Sequence, residues 1–294
     1  MVLLHLPGNI PAATTLWDFL LAWEFEPLVL FPLLVLGALY LAGRARLARL
    51  SHQGAPGESR EAWFFAAGYA TLALALLSPI HSFSEELFFV HMLQHVLLMS
   101  VAAPLLLLAN PMPVMLWSLP PRARALAGRG LATESRPVRC LRLLTRPLLA
   151  WPLFVLDLWL WHQPAPYQAA LQNEALHYVQ HLCFFLTAVL FWWPVIGPAP
   201  VRSRLRYPAR MLYVFLAWVP NSVLGAGFTF APAVLVPFYE ARPRHWGIDA
   251  LTDQQLAGLL MWVPGDAIYA AAMMVLLVAL LRQEDRREAR FLST

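Results

Sequence analysis

Seven long apolar stretches, joined by short polar links, occupy nearly all of the 294 residues. Hydrophobic residues make up 60% of the chain and charged residues only 13%, about half of what a water-soluble domain carries. Crossing ~30 Å of hydrocarbon takes roughly 20 helical residues. We therefore predict an all-α, polytopic membrane bundle of seven transmembrane helices, forming a single domain over residues 1–294. The predicted spans are residues 20–43, 62–80, 87–109, 147–163, 175–196, 210–231 and 256–281.

Arginine placement predicts how this bundle is oriented. All 21 basic residues are arginines, and 19 of them follow spans one, three, five and seven. Only Arg242 and Arg244 lie on the other side. Because positive charge collects in cytoplasmic loops, the N-terminus is predicted to lie outside and the C-terminus in the cytoplasm. The net charge of +4 therefore reflects topology and not a nucleic-acid partner. No basic region precedes the first apolar run, so no cleaved signal peptide is expected.

Histidines divide unevenly in this frame. Eight of the nine fall in predicted outer loops or outer parts of spans, and only His52 is cytoplasmic. The pattern H-x-x-Q-H occurs near the outer start of spans three and five, as HMLQH at 91–95 and HYVQH at 177–181. A further outer histidine ends each preceding span. This recurrence predicts a parallel internal repeat of spans 2–3 and 4–5. The outer histidines are His5, His81, His91, His95, His162, His177, His181 and His245.

The paired histidines suit a metal ion. Residues four apart on a helix share one face, so each H-x-x-Q-H pair can close on one ion. Imidazole binds copper, and reduced copper also accepts thioether sulfur. The predicted ligands are His91, His95, His177 and His181, with His81, His162 and Met99 as candidates to complete the shell. Residues that would orient these ligands are Gln94, Gln180, Asp157 and Asp266.

Several of these residues have a structural alternative. A lone histidine near a helix end is more often a hydrogen-bonded core residue, and Met99 alone is more often a packing residue. Asp157 and Asp266 lie within spans, where ionisable groups are costly and tend to be functional. They serve either as ligands, orienting partners or proton relays, or as structural carboxyls paired with Trp N–H groups, Asn221 or backbone amides, and the sequence leaves both open.

Two further segments carry expectations of their own. Pro264 and Gly265 predict a half-broken helix beside Asp266. The outer loop 232–255 is expected to cap the bundle, which would let His245, Asp249 and Asp253 reach the site.

Four segments give the chain its most distinctive sequence, at residues 23–43, 91–111, 177–198 and 251–266. The most specific parts are HMLQH at 91–95 and DQQLAGLLMWVPG at 253–265. In these segments the chain resembles the CtaG-type cytochrome c oxidase assembly factors, which are seven-span bacterial membrane proteins. The resemblance implies a multi-pass protein of the plasma (inner) membrane that helps mature an aa-type terminal oxidase by supplying copper. It also implies cytochrome c oxidase subunits and other copper chaperones as partners, beside the lipid bilayer.

The chain departs from other oxidase copper chaperones because it has no C-x-x-x-C thiol motif. Cys140 is predicted to be cytoplasmic and Cys183 to lie on a different helix face from His181. The chemistry by which copper would be handed over is therefore open.

These observations predict a non-enzymatic protein that binds copper on its outer face, at a site partly open from outside so that the ion can be released. Motifs of phosphate-binding loops, dinucleotide folds, serine hydrolases and zinc proteases are absent from the sequence. Three alternatives stay open. The first is a redox or haem-handling protein that binds haem b through histidines facing each other across the bundle. The others are a membrane di-metal oxidoreductase and a metal-free scaffold.

Overall fold

The computed structural model describes residues 21–50, 58–242 and 247–292. These residues form helices and contain no strand, which confirms the predicted all-α bundle. His5, His52 and His245 lie outside the described residues. A π-helical segment, Leu97–Ala102, joins α4 to α5. The helices are α1 (Pro27–Leu50), α2 (Glu58–Leu77), α3 (Pro79–Ser84), α4 (Phe88–Val96), α5 (Ala103–Leu108), α6 (Pro111–Leu116), α7 (Pro121–Gly130), α8 (Arg136–Leu144), α9 (Pro147–Trp161), α10 (Pro164–Gln172), α11 (Glu174–Ile196), α12 (Tyr207–Thr229), α13 (Pro237–Glu240) and α14 (Ala250–Leu292).

Each of the seven predicted spans contains a helix, but not every helix qualifies alone as a membrane span. Within the described ranges, five helices are long and apolar enough to cross a membrane: α1, the run Phe88–Leu108, α11, α12 and α14. Helices α8 and α9 meet at a bend of 64° and make a sixth span if they are counted together. Helix α2 is not among these spans, and its first turn carries Arg60 and Glu61. The protein is thus a multi-pass helical bundle, while the count of seven and the orientation stay predictions.

Helix α14 corrects one expectation. It runs without interruption over 43 residues, with Pro264 inside it, so the predicted half-broken helix beside Asp266 is wrong. Proline is tolerated in membrane helices where neighbouring groups satisfy the freed backbone. Pro264 lacks the N–H that would bond to the Leu260 carbonyl, and the amide of Asn221 on α12 donates to the next carbonyl, that of Met261, 3.3 Å away.

The π-helical segment is stabilised from a neighbouring helix. Its backbone shifts so that the Ala103 N–H bonds to the Leu98 carbonyl, five residues back. The carbonyl of Met99 would next need the N–H of residue 104, but that residue is Pro104 and has none. The indole N–H of Trp192 on α11 donates to this carbonyl instead, at 3.1 Å. This bond ties the helix that bears the first H-x-x-Q-H motif to the helix that bears the second.

Both halves of the predicted repeat place a short helix between two longer ones. Helix α3 lies between α2 and α4, and α10 lies between α9 and α11. His81 lies in α3, and His162 is the C-cap of α9. The arrangement agrees with the repeat, which stays a prediction.

Helices α12 and α14 approach each other closely at a pair of glycines. A Cβ atom on Gly258 would lie 2.5 Å from the Gly225 carbonyl oxygen and 2.5 Å from the Thr229 amide nitrogen. All of these contacts are to backbone, which cannot move aside as a side chain does. Small residues at helix contacts let membrane helices pack backbone to backbone, so this crossing requires glycine.

We expect Gly258→Ala to lower the free energy of unfolding in detergent by about 2 to 3 kcal/mol, because the new methyl group forces two helix backbones apart. Thermal unfolding followed by circular dichroism measures the loss. Gly227→Ala on α12 is the matched control, since nothing lies within 4 Å of its Cβ position; it should stabilise the helix by up to about 1 kcal/mol. Equal unfolding temperatures for the two variants would contradict the proposed close crossing.

Candidate metal centre

Six histidines meet in one buried group at one end of the bundle, and we call it the histidine cluster. Each is at most 7% exposed. They come from α3, α4, the end of α9, and α11. The expectation of a site partly open from outside is therefore wrong, because the bundle and the segment around α13 cover the rings. The members of the cluster are His81, His91, His95, His162, His177 and His181.

Three of these side chains have ring nitrogens close enough to share one ion. One ligand atom each from His91, His95 and His181 lies within 4.8 Å of the other two. The ring centroids of His91 and His95 are 4.4 Å apart, and those of His95 and His181 are 5.3 Å apart. The first pair shares a face of α4 because the residues are four apart, and α11 supplies the third ring from across the contact.

His177 adjoins this group on the same helix as His181. Its Nε2 lies 3.4 Å from Nε2 of His91, and its ring centroid lies 4.2 Å from that of His181. Two nitrogens each ~2.0 Å from one metal at a tetrahedral angle are ~3.3 Å apart. The separation of the two Nε2 atoms is therefore compatible with a shared ion. The structure thus brings together all four residues predicted as the principal ligands.

The orientation of His91 is set by Tyr239 in the short helix α13. The Tyr239 hydroxyl donates to the Ser84 carbonyl at 2.8 Å. It must then accept from Nδ1 of His91, also 2.8 Å away, so the proton of a neutral His91 sits on Nδ1. This leaves the lone pair on Nε2, which faces the other histidines. Such an outer partner fixes the tautomer and raises the basicity of a ligating imidazole.

His95 and His181 have no hydrogen-bond partner at either ring nitrogen. They are 3% and 5% exposed. Buried polar atoms are almost always satisfied, so unsatisfied ones in a protein call for an explanation such as an ion or a redox role. Four such nitrogens side by side are the feature that most favours a metal site here.

His162 is oriented by the helix that precedes it. Its Nδ1 donates to the Leu158 carbonyl at 2.7 Å, and Nε2 has no partner. The His162 ring centroid is 5.9 Å from that of His95. Met99 is 5% exposed, and its side chain borders the same small cavity as His95 and His162.

His81 lies at the edge of the cluster and has other partners. The Gln94 amide donates to the Ala75 carbonyl at 2.7 Å and lies 3.1 Å from Nδ1 of His81. On the opposite side of the ring, Nε2 is 3.9 Å from a carboxylate oxygen of Glu24. Gln94 thus orients His81. Gln180, its counterpart in the second motif, is fully buried and has no side-chain partner.

The two carboxyl groups within spans pair with hydroxyl groups. The Thr187 hydroxyl on α11 donates to Asp157 at 2.8 Å, and the Ser222 hydroxyl on α12 donates to Asp266 at 2.7 Å. These bonds link neighbouring helices, as a structural role requires, although hydroxyl groups are not among the partners that the structural alternative names. Neither carboxyl belongs to the three-residue group that can share an ion.

We expect Tyr239→Phe to weaken Cu(I) binding by ~10-fold, because loss of a partner that orients a ligating histidine typically costs 10–100-fold. Competition with a colorimetric Cu(I) chelator measures the affinity of the purified protein. Tyr178→Phe is the matched control, since its hydroxyl bonds to Glu174 on the surface of α11. An unchanged affinity for Tyr239→Phe would show that the tautomer of His91 does not matter for binding.

A family model described as the cytochrome c oxidase caa3 assembly factor, Caa3_CtaG, matches residues 38–283. The chain belongs to this family. Uncharacterised proteins of Mycobacterium bovis and Mycobacterium tuberculosis are each 27% identical to it over 288 residues, covering 97% of this chain and 42% of theirs. One of Mycobacterium leprae is 25% identical over 292 residues, covering 96% and 42%. The chain therefore spans less than half the length of these curated relatives. No solved structure matches it.

The description of the family names assembly of a caa3-type cytochrome c oxidase. The resemblance noted in the sequence is confirmed by the match.

The DQQ motif positions the helix that bears the first histidine pair. Asp253 on α14 is fully buried, and its two carboxylate oxygens accept the backbone N–H groups of Phe88 and Phe89, each at 3.0 Å. It thus caps the first turn of α4, whose N-cap residue offers no side-chain cap of its own. The expectation that Asp253 reaches the metal site is replaced by this role in positioning the helix that carries His91 and His95.

The neighbouring Gln254 holds the outer loop. Its carbonyl oxygen accepts from the Leu235 N–H at 2.6 Å, and its amide donates to the Ala233 carbonyl at 3.1 Å. Asp249, also expected near the site, instead bonds to Leu251 and Thr252 at the start of α14. Sequence reasoning missed Tyr239 and Gln254, and Tyr239 is 148 residues from the histidine that it orients.

Proposed function

We propose that this assembly factor is a seven-span protein of the bacterial plasma membrane that binds copper through His91, His95, His177 and His181. On this proposal the ion is cargo, held on the outer side of the membrane and delivered to, or used to stabilise, the maturing oxidase. Oxidase subunits and other copper chaperones are its proposed partners.

The observation that carries the proposal is the set of four unpartnered ring nitrogens on His95 and His181, beside the Nε2 of His91, which lies 3.4 Å from Nε2 of His177. Copper accepts neutral imidazoles readily, and its reduced form tolerates low coordination and soft ligands. The four rings come from two helices that are bonded to each other through Trp192. A small displacement between α4 and α11 would alter the number of ligands, and this offers a way to release an ion from a buried site.

The haem hypothesis has less support. Axial imidazoles lie on opposite faces of a macrocycle, whereas here three ligand atoms lie within 4.8 Å of one another. The cavity beside His95 measures about 20 Å³, which is enough for about one water molecule and far too small for a porphyrin. The geometry therefore favours a bare ion.

Elemental analysis of the detergent-purified full chain tests the proposal directly. We expect copper in the wild type and loss of the ion held by the four histidines in a variant with all four replaced by alanine, provided that circular dichroism shows both to be folded. The optical spectrum is recorded on the same samples, and a Soret band would support haem instead. Iron with oxygen-dependent turnover would support the di-metal oxidoreductase. Absence of any metal, with oxidase subunits still recovered by pull-down, would leave a scaffold role and overturn the copper proposal.

A test in cells measures whether copper reaches the terminal oxidase. Deleting the chain from its host should lower the copper content and activity of the terminal oxidase, and the wild-type gene should restore both. The four-histidine variant should fail to restore copper although it reaches the membrane in normal amounts. If that variant restored the copper content and activity of the oxidase, the role in assembly would not depend on the four histidines.

A further inference from the structure

A small internal cavity borders the histidine cluster on its inward side. It has a volume of about 20 Å³, room for one water molecule or one monatomic ion. It extends along the helix that bears the first H-x-x-Q-H motif, from the level of His95 to that of the π-helical segment. The residues that line it include Met92, Met99, Met261, His95, His162 and Asn221.

Three of the nine methionines of the chain converge on this cavity. Met92 and Met99 lie three residues before and four residues after His95, which places all three on one face of the helix. Met261 reaches the same space from α14. All three methionines are buried, at 0%, 5% and 4% exposure respectively. Methionine often fills irregular gaps in cores, and its thioether is also a ligand for soft metal ions.

His162 supplies an independent observation that points to a ligand. Its Nδ1 proton is committed to the Leu158 carbonyl, so a neutral ring carries its lone pair on Nε2. That atom is buried and has no partner, although the ring forms part of the cavity wall. An unsatisfied buried nitrogen in a cavity lined by three methionines is a donor set that suits a soft ion.

We propose that Met92, Met99, Met261 and the Nε2 of His162 form a second, thioether-rich site for Cu(I), distinct from the three-histidine group. The proposal rests on the proposed function, since it concerns the same cargo. Thioether sulfur selects Cu(I) over Zn²⁺ and over hard cations. No bond other than ligation forms, and the ion keeps its oxidation state.

His95 lies between the two sites and belongs to both neighbourhoods. It is one of the three residues that can share the outer ion, and it also lines the inner cavity. Its ring centroid is 5.9 Å from that of His162. The two proposed sites are therefore adjacent within the bundle.

The test loads the full chain in detergent with Cu(I) under anaerobic conditions and counts bound ions by native mass spectrometry. X-ray absorption at the copper edge reports whether sulfur is a ligand. The variant is Met92→Leu/Met99→Leu/Met261→Leu, which nearly conserves volume. Its matched control is Met112→Leu/Met115→Leu/Met274→Leu, which makes the same chemical change at three positions that do not line the cavity. His162→Ala forms a second test of the site.

We expect two ions and sulfur scattering in the wild type and the control, and one ion without sulfur scattering in the methionine variant. His162→Ala should likewise lose one ion. The second site is overturned if the wild type binds one ion with nitrogen ligands only and the methionine variant binds the same number. That result would still be consistent with the three-histidine site. Loss of an ion from the control as well as from the methionine variant also overturns the second site, because the loss is then explained by altered packing and not by removal of ligands. A wild type that binds no Cu(I) overturns the proposed function itself.

Discussion

Replacing His95 and His181 together with alanine is expected to weaken Cu(I) binding by more than ~100-fold, because loss of a partner that merely orients a ligand already costs up to ~100-fold. Both rings are buried, and none of their four nitrogens has a protein partner. Their removal thus takes away ligands without breaking a hydrogen bond that the fold uses. Chelator competition on the detergent-purified chain measures the affinity, and thermal unfolding shows whether the variant remains folded.

His81→Ala is the control that distinguishes a ligand from a neighbour. Its Nδ1 faces the Gln94 amide and its Nε2 faces Glu24, so we expect affinity close to that of the wild type. The histidine pattern alone treats His81 as a candidate to complete the shell. If His81→Ala lost as much affinity as the double variant, the ion would lie nearer to the edge of the cluster than we propose.

Asp253→Ala is expected to lower the free energy of unfolding by about 3 to 6 kcal/mol, since hydrogen bonds to a charged acceptor contribute about 1.5 to 3 kcal/mol each and two are lost. The N–H groups of Phe88 and Phe89 would be left without their acceptor at the start of α4. Because α4 carries His91 and His95, the variant should also bind Cu(I) more weakly. Unfolding by heat in detergent and chelator competition measure the two effects.

Asp249→Ala is the matched control for this prediction. Asp249 also accepts two backbone N–H groups at a helix start, those of Leu251 and Thr252, but it is exposed. Water can replace its bonds, so the loss of stability should be clearly smaller and Cu(I) binding unaffected. Equal losses for the two variants would show that burial of Asp253 contributes nothing.

The class of the fold and the meeting of the two histidine pairs could be predicted from the sequence for a physical reason. Hydrocarbon accepts backbone only when its hydrogen bonds are satisfied internally, so long apolar runs imply helices. Within a helix, spacing alone places His91 with His95 and His177 with His181. The two pairs meet if the helices that bear them are neighbours. In the structure those helices lie beside each other.

Other parts of the site depend on residues that are distant in the chain. Tyr239 and Asp253 both act on α4 through hydrogen bonds across about 150 residues of sequence or more, and no local pattern marks them. Pro264 was expected to break its helix, but Asn221 from another helix bonds to the backbone in that turn. Metal access was expected from outside, yet the surrounding elements bury every ring of the histidine cluster.

The sequence by itself determined that this chain is a bundle of membrane helices with two histidine pairs, because hydropathy and helical spacing act over short stretches of chain. Only the tertiary structure decided which of the six clustered histidines have free nitrogens, which are held by Gln94, Tyr239 or a backbone carbonyl, and that three methionines converge beneath them. Those properties arise from contacts between helices, and such contacts depend on how the helices pack and not on the order of residues within any one of them.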